Sequence, residues 1–222
     1  MQNERTDQGP WLVLDASHPQ VEVGILGTHG WLSRASGTEQ ALSSIFRYTQ
    51  DCLHETGLNL SHISGYIHCS GPGSMLGIRL SAMAIKTWRG IHGNTPLYTY
   101  TSLDLARRSY AFKNPGTAFD IIADWKRNTW HHMPFDQANI SAITSEELSV
   151  KANNSLLYLS QRKSWQAPPA DAQAIAYSIE SLPQILLKQA DFLRSVEDPD
   201  VFQHEAPVYQ KWTPSRHGTD NG

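Results

Sequence analysis

The residues best placed to do chemistry lie in one turn and in two acids. The turn is Gly71-Pro72-Gly73-Ser74-Met75-Leu76-Gly77-Ile78-Arg79; the acids, Asp15 and Asp124, end apolar runs. A glycine turn that feeds a helix suits an anion, because the first amides of the helix lack intrahelical acceptors and its dipole is positive there. Gly71 and Gly73 permit turns that a Cβ obstructs, Pro72 fixes one φ, and Ser74 is a good N-cap. The missing Cβ of Gly77 lets a backbone or a ligand come close. Asp15, Gly71, Gly73, Ser74 and Gly77 therefore form a candidate phosphate- or anion-binding set. Asp15 could hold a magnesium-bound water beside the phosphate, and Asp124 could do the same from a second lobe. Yet no Gly-Lys-Ser/Thr follows the turn, Leu76 stands where a dinucleotide fingerprint needs its third glycine, and adjacent Gly73 and Ser74 break the nucleophile elbow. A purely structural turn is the preferred reading, as is a hairpin cap for each acid.

Other reactive residues form no set. The ten histidines include no His-x-x-x-His and no His-Glu-x-x-His, so a helical metal pair has no support. His131 and His132 fall on an expected strand, where neighbouring side chains point to opposite faces. Asp51, His54 and Glu55 read as the solvated face of a helix. Arg34, Arg107, Arg108, Lys126 and Arg127 are scattered, and no nucleophile, base and orienter can be assembled from spacing alone.

These residues need elements to hold them. Residues 11–16 and 63–70 read as buried strands, and 21–26 and 31–35 as partners of the first. Thr38 is the expected cap of a helix that Gly57 closes, and Ser74 that of a second running to Gly90. In the second helix Leu76, Leu80, Met83, Ala84 and Ile91 lie on one side, and Ile78, Ala82, Ile85 and Trp88 widen the apolar arc past half the circumference. Only Arg79, Lys86 and Arg89 form a polar strip, so the helix should pack a sheet on one side and something else on the other. A strand over 97–100 and a helix capped by Ser102 follow, and Lys113-Asn114-Pro115-Gly116 reads as a linker. Beyond it a weak repeat of the opening, or a chance likeness between two hairpins, is read: superposing Asp15 on Asp124 aligns strand, acid, polar turn and second strand, over 117–123 and 129–135. A helix over 144–152, a strand over 156–160, helices over 171–180 and 183–194, and an edge strand over 205–211 complete the expectation.

The chain has 222 residues, 40% hydrophobic and 18% charged, with net charge −3. That is globular composition, enough for one core or two small lobes, and without the overall basic character that argues for nucleic acid. Cys52 and Cys69 show no metal spacing and read as reduced core thiols. The polar first ten residues are wrong for a signal peptide, no apolar run approaches membrane-spanning length, and the expected compartment is the cytoplasm.

Taken in order, Leu14-Asp15-Ala16-Ser17, Ser70-Gly71-Pro72-Gly73-Ser74, Gly77-Ile78-Arg79, Lys86, Ser102-Leu103 with Leu105-Ala106, and Ala206-Pro207-Val208-Tyr209 resemble the TsaB family, also called YeaZ. The likeness runs from about residue 11 to 212, and the Gly-Pro-Gly-Ser…Gly-Ile-Arg block is its most specific part. It implies an α/β, two-lobed, actin-like, Hsp70-like and sugar-kinase-like (ASKHA) fold with ribonuclease H-like lobes. The lobes would span 11–113 and 114–212, with disordered ends at 1–10 and 213–222. It further implies a non-catalytic companion in bacterial synthesis of threonylcarbamoyladenosine in transfer RNA. Such a subunit pairs with a TsaD-type paralogue that carries metal and nucleotide, and a TsaE-type ATPase joins the complex. Transfer RNA is then met indirectly, and the isolated subunit forms a homodimer. The family's pairing helices map to 38–55 and 74–90, which makes Leu42, Ile45, Phe46, Leu76, Leu80, Met83, Ala84 and Thr87 the expected interface. No catalytic residue, metal or cofactor is its own, and ATP with magnesium belongs, if anywhere, at the partner interface. Three departures mark a divergent member. Ser36-Gly37-Thr38-Glu39 replaces a His-Ser pair before the first helix, Met75-Leu76 replaces Phe-Thr, and 124–127 only loosely matches the second hairpin. The main rival is a small ATPase or phosphotransferase using Asp15 and the 71–77 turn. A glycoprotease-like reading has neither metal pair nor triad behind it.

Overall fold

The structure is a computed structural model and describes residues 9–151, 154–160, 164 and 166–202. Three antiparallel strands open it: β1 (Trp11–Asp15), β2 (Val21–Gly27) and β3 (Gly30–Gly37). Helix α1 (Ala41–Thr56) crosses to β4 (Gly65–Cys69), parallel to β1, and α2 (Met75–His92) crosses to β5 (Leu97–Tyr100), parallel to β4. After α3 (Ser102–Lys113) the plan repeats. β6 (Phe119–Lys126), β7 (Thr129–Met133) and β8 (Ser141–Thr144) form the meander, and β9 (Ser155–Leu159) and β10 (Gln173–Ile175) add the parallel strands, with α4 (Ser145–Lys151) between. Five strands of the first sheet run β5-β4-β1-β2-β3, with a sixth, late in the chain, added beyond β5, and the second runs β10-β9-β6-β7-β8, so one five-stranded topology is used twice. Both acids sit alike in it: Leu14 pairs with His68 just before Asp15, and Ala123 with Leu159 just before Asp124. This is the two-lobed α/β architecture with ribonuclease H-like lobes that the family resemblance implies, and the likeness between the stretches around Asp15 and Asp124 agrees with it.

Every residue of β1 is buried because helices cover both faces of its sheet. On one side Leu12, Leu14, Val23 and Ile25 meet Ile45, Tyr48, Ile85 and Trp88 of α1 and α2. On the other, Val13, Ile67 and Cys69 meet Leu105 of α3 together with Ile179, Leu182, Ile185 and Phe192. Those last four lie in or beside α5 (Leu182–Lys188), and β11 (Arg194–Ser195) then pairs with β5. The stretch 179–195, placed by sequence in the second lobe, thus packs on the first sheet, whose second face α3 does not cover alone.

Several local expectations change. Residues 171–180 form no helix but β10 and a short 3-10 turn (Ile179–Ser181). Their alanine-rich sequence favours helix, and parallel pairing with β9 outweighs that weak preference. The helix begun by Pro183 ends at Lys188 rather than near 194. Gln40, not Thr38, stands at the N-cap of α1, and Thr101, not Ser102, at that of α3; neither makes a side-chain cap bond. Ser102 instead donates through Oγ to the Pro72 carbonyl, 2.6 Å away. β8 had no expectation. The ends at 1–8 and 203–222, including the expected strand and the family-like tetrapeptide at 206–209, lie outside the described residues.

Candidate functional site

Asp15 ends β1 with its carboxylate fully engaged. Oδ1 accepts from the Ser17 amide (2.9 Å) and hydroxyl (2.6 Å), and Oδ2 from the hydroxyls of Tyr100 (2.7 Å) and Tyr177 (2.5 Å). Burial, and then the charge of Asp15, push both phenols well above their usual pKa, so they stay neutral donors. Ser17 spends its proton on Asp15, so His18 Nδ1, 2.8 Å from Ser17 Oγ, carries the hydrogen of that contact. His18 Nε2 is then a buried acceptor without a partner. Burial lowers the His18 pKa to about 4 against an upward pull from Asp15. The carboxylate has four protein donors and no face turned to solvent; it ties a hairpin together and does not stand ready for a hydrated metal.

The glycine turn is built for the same purpose. A Cβ on Gly73 would stand 2.1 Å from the Ser17 carbonyl oxygen, and one on Gly77 2.0 Å from that of Ala16. The Ser74 amide donates to the Ser17 carbonyl (2.7 Å), and Ser74 Oγ caps α2 by accepting from the Gly77 amide (3.4 Å). Gly71 has φ +105°, and its carbonyl takes the Ser102 amide at 2.8 Å. At Gly73 and Gly77 the close approach is made by the chain's own backbone, which is the structural reading of the turn; the geometry does not require the anion-binding reading of Asp15, Gly71, Gly73, Ser74 and Gly77. What these residues bring together is β1, α2 and α3. Asp124 is also buried, with Gln166 Nε2 at 3.3 Å. His131 and His132 diverge as strand alternation requires: His132 Nε2 meets Asp120 at 2.9 Å, while the His131 ring packs by Trp125 and Phe202. Among the described residues no three His, Cys, Asp or Glu side chains converge as metal ligands.

Two residues that sequence reasoning passed over belong to this centre. Glu22 lies directly opposite Asp15 in the β1–β2 ladder and is equally buried. It accepts from Ser178 Oγ (3.0 Å) and the Ile179 amide (3.1 Å), with Arg34 Nη1 at 3.7 Å. Burial first, and then Asp15, push its pKa up to about 7. Its one sequence signal is its place across a short hairpin from an acid. Tyr177 leaves no such trace, because it arrives from a distant loop.

The outer face of α1 and α2 is a different surface. Leu42, Phe46, Leu76 and Met83 are 54%, 49%, 68% and 61% exposed, Leu80 is half-buried beside them, and exposed Thr87 turns its hydroxyl back to the Met83 carbonyl. Ile45 and Ala84, expected here, are 1% and 3% exposed. Both point into the first lobe's core because α1 lies over β2 and β3, and the inner side of α2 faces α1 and the sheet. Leu80 and Met83 are not enclosed by their own lobe; Ala84 is. Beside the patch a groove of about 670 Å³ runs along Phe46, Leu53, Leu58, Leu60, Trp88 and His92. Among the described residues no helix is long and apolar enough to cross a membrane.

Neither a family model nor a curated protein matches the sequence. Solved structures do match in shape. A Pseudomonas aeruginosa protein described as similar to peptidase YEAZ superposes with a TM-score of 0.62 at 17% identity, covering 91% of this chain and all of that one (100%). YeaZ from Pseudomonas aeruginosa gives 0.61 at 17% identity, over 85% of this chain and 95% of that one. At such identity the likeness speaks for architecture alone: two α/β lobes built on one repeated topology, as in these two structures.

Proposed function

We propose that this chain is a non-catalytic scaffold subunit that pairs with a larger TsaD-type paralogue through the outer face of α1 and α2. In that role it supports the N6-threonylcarbamoyladenosine modification of transfer RNA in the cytoplasm. A TsaE-type ATPase joins the pair, RNA is met through the partner, and any ATP with magnesium sits at the partner interface. The observation that carries this reading is the spacing of the uncovered residues. Leu76, Leu80, Met83 and Thr87 recur at four, three and four positions along α2, and Leu42 and Phe46 stand one turn apart beside them on α1. Such spacing is the seam by which helices pack along one another, and with α1 next to it the face fits a second pair of helices. A contiguous apolar patch of this kind is rarely left in water. Without the partner, the same face closes on a second copy.

The rival ATPase or phosphotransferase needs an acid open to a metal-bound phosphate, and Asp15 already holds four donors. Titrating ATP and magnesium into the isolated chain is expected to give no binding heat; tight binding would favour the rival. The seam is tested by the double variant Leu80→Lys and Met83→Asp, which should keep its melting temperature and lose co-purification with the co-expressed paralogue. Retained pairing by the folded variant would remove the interface.

A further inference from the structure

We propose that residues 177–179 form a latch, which closes the first lobe over two facing carboxylates and opens as a unit while both sheets stay folded. The Tyr177 ring packs against the cores of both lobes, so this short strap spans them. Its polar grip on the first lobe is local, and the Ile179 side chain below it is buried in that lobe's core. The Tyr177 hydroxyl meets Asp15 at 2.5 Å, its ring stacks on His18 at 4.0 Å, and Ser178 Oγ and the Ile179 amide hold the two oxygens of Glu22. Asp15 and Glu22 are cross-strand neighbours, and closing the strap takes both out of water together.

The groups facing Glu22 do little to relieve this. They are Asp15 on β1, Arg34 on β3 and Tyr100 on β5, with Glu180 just past the strap sharing Arg34. Arg34 is the one cation among them within ion-pair reach of Glu22; it stands 3.7 Å away and is shared with Glu180 at 3.8 Å. Burial in a dry site disfavours ionisation, and the like charge of Asp15 alongside adds to that, so the closed latch holds a proton on Glu22 up to about pH 7. When the strap lifts, the carboxyl regains water and its ordinary acidity. At neutral pH the hydrogen bonds that fasten the strap therefore work against the charge they enclose. That balance marks a low-stability element that opens before the sheets do.

Amide hydrogen exchange of the full chain, followed by NMR at pH 7.5, reads the latch at Ile179. His18 is neutral at that pH whether covered or exposed, so it does not enter. In the wild type, Ile179 should exchange with far less protection and weaker urea dependence than Val13 and Ile122 in the central strands. Glu22→Gln keeps an acceptor for the Ile179 amide and removes the buried charge, so it should raise protection there by about tenfold. Tyr177→Phe loses only the hydroxyl on Asp15 and should lower protection by about tenfold. At pH 5 the gain from Glu22→Gln should shrink, because the closed wild type is already protonated. Contacts that were merely structural would weaken in both variants. Loss of protection in Glu22→Gln, no change in Tyr177→Phe, or Ile179 exchanging with the protection and urea dependence of Val13 and Ile122 would each overturn the latch.

Discussion

At Gly77 a methyl group would press against the Ala16 carbonyl, whereas at Gly90, on the same helix, it would meet nothing within 4 Å. The two glycines should answer oppositely to one substitution. Gly77→Ala forces backbone apart and is expected to cost roughly 2–4 kcal/mol, while Gly90→Ala relieves a helix-interior glycine and should gain about 1 kcal/mol, both read by urea denaturation. The buried titrating pair makes a second residue-level prediction. His18 has a lowered folded pKa, about 4, so its contribution is lost as pH falls from about 6.5 toward 4. Glu22 has a raised one, about 7, so its contribution is full below about 4.5 and is lost as pH rises toward 7. Between about 4.5 and 6.5 the two slopes oppose each other. Relative to the wild type, Glu22→Gln should therefore become more stable, and His18→Asn less stable, as pH rises across that window. Parallel profiles for all three proteins would refute the assignment. At this scale the spacing of the turn glycines revealed a close approach but not what approaches, since an anion and a carbonyl oxygen make the same demand on a Cβ. Glu22 was hidden because an acid in an alternating strand reads as a solvent-facing position. Only the strap from residue 177 onward makes it internal.

The helices α1 and α2 carry two apolar stripes each, and sequence alone cannot say where the inner one stops. Ile45 lies three positions from Leu42 and belongs to the core; Ala84 adjoins Met83 and does too. Ile45→Asp and Ala84→Asp should each cost at least about 3 kcal/mol and leave little folded protein, as a charge without partner in a core does. Met83→Asp should leave thermal melting within a degree or two of the wild type. An equal loss at Met83 would mean that its side chain is covered by the chain itself. The long, strongly periodic elements were legible to within a few residues: β1, β2, α1 and α2 all carry enough turns or alternations to declare themselves. The short strands β8, β10 and β11 were not, because they lack the apolar run that marked the equally short β5 and exist through their neighbours. In β10 the local preference even pointed the other way.

For the molecule as a whole, the weak repeat of strand, acid and hairpin agreed with the two-lobed fold that the family resemblance implied, and the two sheets share that topology. Its weakness lay at the far end. The sequence break at Pro115 divides the sheets but not the packing, for α5 and β11 return to complete the first lobe. A fragment ending at residue 116 leaves Val13, Ile67, Cys69 and Leu105 without their cover, and is expected to lack a cooperative thermal transition and to aggregate on a sizing column. A monomeric fragment with a sharp transition would show that the returning segment is dispensable.

That return also sets a schedule for biosynthesis. The ribosome delivers β1 to α3 first, yet the half they begin cannot close until residue 195 has cleared the exit tunnel. Through most of its translation the nascent protein therefore displays an unfinished, water-averse flank, which makes it a natural client for ribosome-bound chaperones.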